Sequence, residues 1–185
     1  MRAVWDASYR WRSALAASVR LILLTATQRQ EASAATWSEF DLNKRLWTVP
    51  AERMKGKAGY RRAHVVPFGR ALADLLEEIP RRNASDYLFT ASDGSRPLCW
   101  ANGQHAQKLF ASAGVEGATI HSIRRSVATY MGDHLGVPVA TIGAILAHSP
   151  STPMGITAVY DHSQRIEERR QALEARGSAL LGGKL

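Results

Sequence analysis

Residues 119–136 decide the fold, and they read Thr-Ile-His-Ser-Ile-Arg-Arg-Ser-Val-Ala-Thr-Tyr-Met-Gly-Asp-His-Leu-Gly. Three apolar side chains recur in this stretch at helical spacing: Ile123, Val127 and Met131. This period predicts an amphipathic helix over most of the stretch. Thr119 or Ser122 can cap its first turn, and Gly136 is typical of the residue that follows a helix.

The predicted helix begins with two polar side chains that suit an anion. His121 and Arg124 lie three residues apart, so they share one helix face. They also lie in the first turn, where backbone N–H groups and the helix dipole favour a negative charge. His148 and Tyr160 follow further along the chain. Together the four side chains can act on one phosphodiester, although a surface His and Arg without a function are a common alternative for the first two.

Helical patterns also occupy much of the chain on either side. They predict helices over residues 13–28, 70–79, 103–114, 138–148 and 163–176. Residues 45–50 and 64–68 have the composition of strands and flank a loop rich in Lys and Arg, which predicts a β-hairpin with a basic tip. Residues 87–89 are a candidate third strand. The expected fold class is therefore α+β, mainly α with a small antiparallel β-sheet.

Composition and charge narrow the class of partner. The chain has 185 residues, of which 45% are apolar, and this suits one domain with an ordinary core. Its formal net charge of +8 favours a polyanion, with nucleic acid ahead of a membrane surface. The apolar run near residues 21–26 is far shorter than the roughly 20 residues that a transmembrane helix needs. A single cysteine, Cys99, fits a reducing compartment, so we expect a cytoplasmic, nucleoid-associated bacterial protein.

The polar series resembles the active site of the tyrosine recombinases, also called the phage integrase family. The resemblance lies in His121-x-x-Arg124, in Leu146-Ala-His148-Ser and in Tyr160. Four further stretches resemble the integrases of temperate phages and genomic islands: Trp37-Ser-Glu-Phe-Asp, Trp47-Thr-Val-Pro-Ala-Glu-Arg-Met-Lys, His64-Val-Val-Pro and Glu167-Glu-Arg-Arg. The resemblance covers about residues 21–175. It implies DNA integration and site-specific recombination through a 3′-phosphotyrosyl intermediate, with no metal and no cofactor.

Residue by residue, the resemblance also implies roles. Tyr160 is similar to the nucleophile, and Arg124, His121 and His148 are similar to the residues that bind the phosphate oxygens. Lys55 is similar to the hairpin lysine that protonates the leaving oxygen, with Lys57 as its nearest rival. Four basic residues are candidates for contacts with the DNA: Lys57, Arg61, Arg62 and Arg125.

The sequence differs from the family pattern at the position of the pattern's first arginine. That arginine lies three residues before an acidic residue that supports it, and Glu31 matches the acidic position. Counting back from Glu31 leads to Gln28, and Arg29 is displaced from the pattern by one residue. In a regular helix one residue corresponds to a rotation of about 100°. Arg29 can therefore supply the guanidinium only if the chain bends here, and otherwise the arginine is lost.

The same residues also predict the limits of the domain, and they leave two alternative functions open. We expect a catalytic domain over residues 1–176 without N-terminal DNA-binding domains, a flexible tail over 177–185, and a monomer that oligomerises only on DNA. A catalytically impaired DNA-binding remnant of an integrase is one alternative. A metal-dependent hydrolase built from His121, Asp133, His134 and His148 is another, although no tight ligand motif supports it.

Overall fold

The computed structural model describes residues 1–55, 61–81, 85–91, 93–100, 103–147 and 157–182, and only the backbone of residues 157–164. Its helices and strands follow one another along the chain as α1 Arg2–Arg10, α2 Ala14–Thr25, α3 Arg29–Ser33, β1 Phe40–Asp41, β2 Leu46–Val49, β3 His64–Pro67, α4 Arg70–Glu78, α5 Gln104–Ser112, α6 Ile120–Leu135, α7 Val139–Ile145 and α8 Thr157–Leu180. The expected fold class, mainly α with a small antiparallel sheet, is confirmed.

The sheet has three strands in the order β1-β2-β3, and both pairs are antiparallel. Trp47 of β2 lies opposite Phe40 on one side and Val66 on the other. The rings of Phe40 and Trp47 stack with centroids 5.2 Å apart, and Phe68 meets Phe40 edge to face. These aromatic contacts give the small sheet a face that packs into the core.

The third strand differs from the expectation. Residues 87–89 were predicted to form it, but Tyr87 makes only an isolated bridge to Thr36, and β1 is the third strand instead. The reason is local, because a tight connection after Phe40 and Asp41 places them beside β2. A three-residue apolar run alone does not distinguish a strand from an extended loop.

The predicted helix over residues 13–28 is interrupted. Ser13 caps α2 by accepting a hydrogen bond from the Ala16 N–H, and α2 ends at Thr25. Ala26 adopts a left-handed conformation with φ 55°, and Gln28 then stands as the N-cap of the short helix α3. The chain therefore bends between α2 and α3 at the position where the sequence departs from the family pattern.

Helix α8 is longer than predicted at both ends. It was expected over residues 163–176, but it runs to Leu180, which is only 2% exposed in the core. The start of the expected flexible tail at residue 177 is thereby corrected, because residues 177–180 form the last turn of α8. Gly177 faces α4, and a Cβ atom placed on it would come within 2.9 Å of the Ala71 Cβ.

Arginine side chains attach α8 to the sheet. Arg169 is 2% exposed and donates from Nη1 to the Val65 carbonyl oxygen at 2.8 Å. Arg170 donates from Nη1 to the carbonyl oxygens of Arg45 and Phe68 at 3.1 and 3.3 Å. These bonds fix the middle of α8 against β3 and the residues that flank β2 and β3, and each pairs a charged donor with a backbone carbonyl oxygen.

Candidate active site

A cleft of about 1050 Å³ brings together most of the described candidate residues. Gln28 and Arg29 line it from the start of α3, Lys55 from the segment after β2, and His121 and Arg124 from the start of α6. Residues from α5 close another side. None of the described lining residues is Asp or Glu, whereas Arg29, Lys55 and Arg124 bring positive charge to the lining.

Helix α6 has the capped start that the sequence predicts. Thr119 is the N-cap, and its Oγ1 accepts from the Ser122 N–H at 3.1 Å. The Ser122 Oγ in return accepts from the Thr119 N–H at 2.7 Å. Both predicted capping residues therefore act together as a capping box, which directs the first turn and His121 into the cleft.

Arg124 is half-buried at the base of the cleft. Its Nη2 donates to the Leu146 carbonyl oxygen just beyond α7. Burial lowers the pKa of Arg124 from its ordinary value, and the nearby Glu31 carboxylate opposes that change. The Arg124 guanidinium thus donates a hydrogen bond to the Leu146 carbonyl oxygen and interacts electrostatically with the Glu31 carboxylate.

Glu31 lies beneath the cleft and is only 1% exposed. Burial raises its pKa, while the hydrogen bond from the Gln28 N–H and the charges of Arg124 and Arg53 act in the opposite direction. That N–H donates to Oε2 at 2.8 Å, whereas Oε1 has no hydrogen-bond partner within the described part of the chain. Glu31 thereby connects the bend before α3 to the arginine of α6.

The bend before α3 brings both rival residues into the cleft. Gln28 is half-buried and Arg29 is exposed, and both line the cleft wall. Because Gln28 is the N-cap, the helical rotation of about 100° that separates neighbours does not apply between Gln28 and Arg29. Gln28 and Arg29 therefore both lie in the lining of the cleft that also contains Arg124.

Two hydrogen bonds hold the end of α7 at the cleft. Arg124 binds the Leu146 carbonyl, and His64 of β3 places Nε2 3.2 Å from the Ile145 carbonyl oxygen. Since a carbonyl can only accept, this bond requires the proton on Nε2. Ala147, which lines the cleft with φ 51°, is the last described residue before His148.

Three of the expected site residues cannot be compared with the cleft in full. His148 and Lys57 lie outside the described residues. Tyr160 lies in the first turn of α8, where only the backbone is described. Arg61, Arg62 and Arg125 are exposed and are not among the residues that line the cleft, and Arg61 donates to the Glu52 carbonyl at 3.2 Å.

Sequence reasoning did not identify an ion pair behind Lys55. Arg53 pairs with Glu39, and its Nη1 also donates to the Glu31 carbonyl oxygen at 3.1 Å. Trp100 and Gln107 in the cleft lining were also missed. No periodic or spacing signal links Arg53 to Glu39, because the two residues are 14 positions apart. They lie in separate turns, Glu39 just before β1 and Arg53 after β2.

The metal-hydrolase alternative has a geometric difficulty. His121 begins α6 and His134 lies in its last turn, which puts roughly 20 Å of helix between them. His134 packs against the Tyr130 ring with centroids 4.8 Å apart. Among the described side chains, no three His, Cys, Asp or Glu residues come close enough to hold a metal ion. Within the same part of the chain, no helix has the length and apolar character needed to cross a bilayer.

Comparison with solved structures defines the class of fold. XerA recombinase superposes with a TM-score of 0.65 at 18% identity, over 88% of this chain and 61% of XerA. XerH site-specific recombinase bound to its difH substrate superposes with a TM-score of 0.58 at 19% identity, over 88% of this chain and 51% of XerH. The fold is that of the catalytic domain of tyrosine recombinases.

Sequence comparison then identifies the family. The model of the phage integrase family matches residues 3–167. Prophage integrase IntA of Escherichia coli (strain K12) is 30% identical over 153 residues, which cover 82% of this chain and 35% of IntA. The integrase of Shigella phage Sf6 is 26% identical over 160 residues, which cover 85% of this chain and 39% of that protein. The chain belongs to the phage integrase family, and it spans less than two fifths of these two relatives.

Proposed function

We propose that this chain is the catalytic domain of a site-specific tyrosine recombinase that cuts and rejoins DNA for integration. The observation that carries the proposal is the cleft, where His121, Arg124 and Lys55 meet the start of α3. His121 and Arg124 of α6 and Lys55 from a distant part of the chain line one cleft that has no Asp or Glu in its described lining, and these groups suit the negative charge of a phosphodiester. The net charge of +8 suits the same substrate.

Double-stranded DNA is the partner that fits this cleft. A helix N-terminus, a guanidinium and a lysine are groups that bind phosphates in proteins. Two proteins of similar fold were determined with DNA, namely XerH with its difH substrate and the Tn1549 transposon integrase with a circular intermediate DNA. Their DNA complexes support the same class of partner for this chain.

The proposed reaction begins with attack by the Tyr160 hydroxyl on the phosphorus. A bond forms between the tyrosine oxygen and phosphorus, the bond from phosphorus to the 5′-oxygen breaks, and a 3′-phosphotyrosyl link remains. The hydroxyl proton passes to His121, which otherwise binds a phosphoryl oxygen. A free tyrosine has a pKa of about 10, so a cationic surrounding assists loss of that proton.

The leaving 5′-oxygen takes a proton from Lys55, which acts as the general acid. Arg124, His148 and Arg29 stabilise the extra negative charge on the phosphoryl oxygens in the transition state. The 5′-hydroxyl of a second strand then reverses the same steps and releases Tyr160. Because each phosphodiester bond is exchanged for a phosphotyrosyl bond and back, rejoining consumes no nucleotide cofactor.

Covalent capture of DNA tests the proposal. The chain is incubated with a pool of nicked duplexes of randomised sequence, and DNA that stays attached after denaturation is recovered and sequenced. The nick lets the cut segment diffuse away, so the covalent adduct accumulates. We expect the wild type to enrich one sequence as an adduct, and Tyr160→Phe to abolish that adduct.

The matched control is Tyr9→Phe, which removes a hydroxyl from an exposed tyrosine of α1 outside the cleft. It should retain adduct formation. Absence of any wild-type adduct above the Tyr160→Phe background would contradict the proposal. Binding to DNA without an adduct would then favour the catalytically impaired remnant.

A further inference from the structure

Arg53 occupies a junction behind the cleft. Its Nη2 pairs with the Glu39 carboxylate, and its Nη1 donates to the Glu31 carbonyl oxygen at 3.1 Å. The same Glu39 oxygen, Oε2, accepts from the Trp47 Nε1 at 2.9 Å. The side chains of Arg53 and Glu39 are only 21% and 12% exposed, so the pair is held away from bulk water.

This junction connects two walls of the cleft. On one side, Arg53 ends the short turn at Ala51–Arg53, and the buried Met54 and the exposed Lys55 follow it directly into the cleft wall. On the other side, the Glu31 carbonyl belongs to α3, whose N-cap Gln28 and first residue Arg29 also line the cleft. A single guanidinium therefore sets how far the lysine segment lies from the start of α3.

The chemistry of the pair suits positioning more than stability. A buried ion pair contributes little net free energy, because removing both charges from water offsets most of their attraction. A planar guanidinium, however, binds two acceptors in a fixed orientation, which lysine does not do. Lys55 has a long, flexible and exposed side chain, so its placement depends on how firmly its backbone is held.

We propose that Arg53 is a positioning residue that holds Lys55 within reach of the leaving 5′-oxygen. The inference rests on the proposed function, in which Lys55 donates the proton to that oxygen. Arg53 is not among the residues that line the cleft. Its effect on the reaction is exerted through the two hydrogen-bonded partners that fix the segment before Lys55.

Replacement of the leaving oxygen by sulfur distinguishes two roles for Arg53, the positioning of Lys55 and general support of the structure. A thiolate leaves without a proton, so a 5′-bridging phosphorothiolate substrate does not need the general acid. The substrate is the sequence enriched by covalent capture, made with oxygen or with sulfur at the scissile position. Single-turnover cleavage of both is measured for the wild type, Arg53→Gln and Glu39→Gln, together with DNA affinity and unfolding temperature.

We expect Arg53→Gln to slow cleavage of the oxygen substrate by about 10- to 100-fold, since small misplacements of a catalytic group have effects of that order. On the sulfur substrate the variant should lie within about 3-fold of the wild type, because no proton is required there. Glu39→Gln, which leaves Arg53 in place but weakens its ion pair, should slow cleavage of the oxygen substrate by a smaller factor and leave cleavage of the sulfur substrate within about 3-fold of the wild type. DNA affinity should remain within about 3-fold.

Arg70→Gln is the control for loss of one positive charge. Arg70 forms an exposed ion pair with Asp74 on α4, outside the cleft. It should leave both rates unchanged. In a Lys55→Ala background, Arg53→Gln should slow cleavage of the oxygen substrate by no more than about 2-fold, because a positioning residue has no effect once the group it positions is absent.

The outcomes are distinguishable. Equal slowing of the oxygen and sulfur substrates by Arg53→Gln would assign it a purely structural role and overturn the inference. A positioning role is equally overturned if Arg53→Gln and Glu39→Gln both match the wild type on oxygen. Should Arg53→Gln fail to fold, the ratio of the two rates for Glu39→Gln decides the question alone. Failure of the proposed function itself appears differently, as absence of wild-type cleavage on both substrates.

Discussion

Gln28 and Arg29 stand at the bend between α2 and α3, and both face the cleft. Of the two, Arg29 brings a guanidinium, while Gln28 contributes neutral donors. The backbone N–H of Gln28 is already used by Glu31, which fixes Gln28 as the first residue of the bend. At this site the free guanidinium is the stronger partner for a phosphoryl oxygen.

Arg29→Ala should therefore lower single-turnover cleavage of the captured sequence by roughly 10²- to 10³-fold, as loss of one charge-stabilising donor does. Gln28→Ala should lower it by less than about 10-fold, because a neutral hydrogen bond is weaker than a charge-assisted one. Quenched-flow cleavage assays on both variants measure the contrast. If the two effects are reversed, Gln28 has the role and the guanidinium is not used.

Glu31 gives a pH dependence whose sign follows from its burial. The pKa of Glu31 is raised in the folded protein above its ordinary value of 4.5, chiefly by burial. The folded state thus binds the proton more tightly than the unfolded state does. The stabilisation from this proton is fully present below about pH 4.5 and is lost as the pH rises through the folded pKa.

Glu31→Gln cannot ionise, so its free energy of unfolding should not show this loss. The difference in stability between Glu31→Gln and the wild type should increase in favour of the variant from about pH 4.5 upwards and then level off. Urea unfolding at a series of pH values measures it. Glu77→Gln, on the exposed face of α4, gives the background from removing a surface carboxyl. A flat difference for Glu31→Gln, relative to that control, would be inconsistent with the burial argument.

At the scale of the element, α8 depends on a close approach to α4. Gly177 lies inside α8, and a Cβ atom there would come within 2.9 Å of the Ala71 Cβ. Glu174, one turn earlier, accepts the Arg70 N–H at 2.8 Å and so satisfies the first turn of α4. The two helices thus meet by backbone proximity and by a side chain that caps the neighbour.

Gly177→Ala should lower the free energy of unfolding by about 1–3 kcal/mol, the usual effect of forcing an extra carbon into a packed interface. Gly143→Ala in α7 is the matched control, since within the described part of the chain a Cβ atom there meets no packing neighbour within 4 Å. It should raise stability by about 0.5–1 kcal/mol through helix propensity. Urea unfolding of both variants checks the opposite signs, and a gain in stability at Gly177 would refute the close approach.

Helix limits that are set by residues close in the sequence could be predicted. The capping pair Thr119 and Ser122 and the glycine at residue 136 define α6 through bonds to residues at most five positions away, so its limits could be predicted. The bend before α3 was not predicted, although Gln28 and Glu31 have the spacing of a capping box. The apolar residues at positions 21–24 continue the helical pattern up to Ala26 and so mask the break.

For the molecule as a whole, the order of the polar residues predicted the family, but not how the site is held together. His121, Arg124, Lys55 and Arg29 were expected to converge, and the described part of the chain brings them to one cleft. The ion pair of Arg53 with Glu39 joins elements through a turn, and Arg169 and Arg170 bind carbonyls more than 100 residues away. Contacts of that kind follow from tertiary packing, which neither periodicity nor spacing encodes.

The attachment of α8 to the sheet has a mechanical consequence. Tyr160 lies nine residues before Arg169 on the same helix, a distance of about 13.5 Å along the axis. If α8 rotates as a rigid body, the bonds from Arg169 and Arg170 fix the point about which the segment before them turns. A rotation of about 10° at that point displaces the backbone of Tyr160 by more than 2 Å at a rise of about 1.5 Å per residue. Under that condition, a small rotation of α8 at the sheet moves the backbone of Tyr160 by more than the length of a covalent bond.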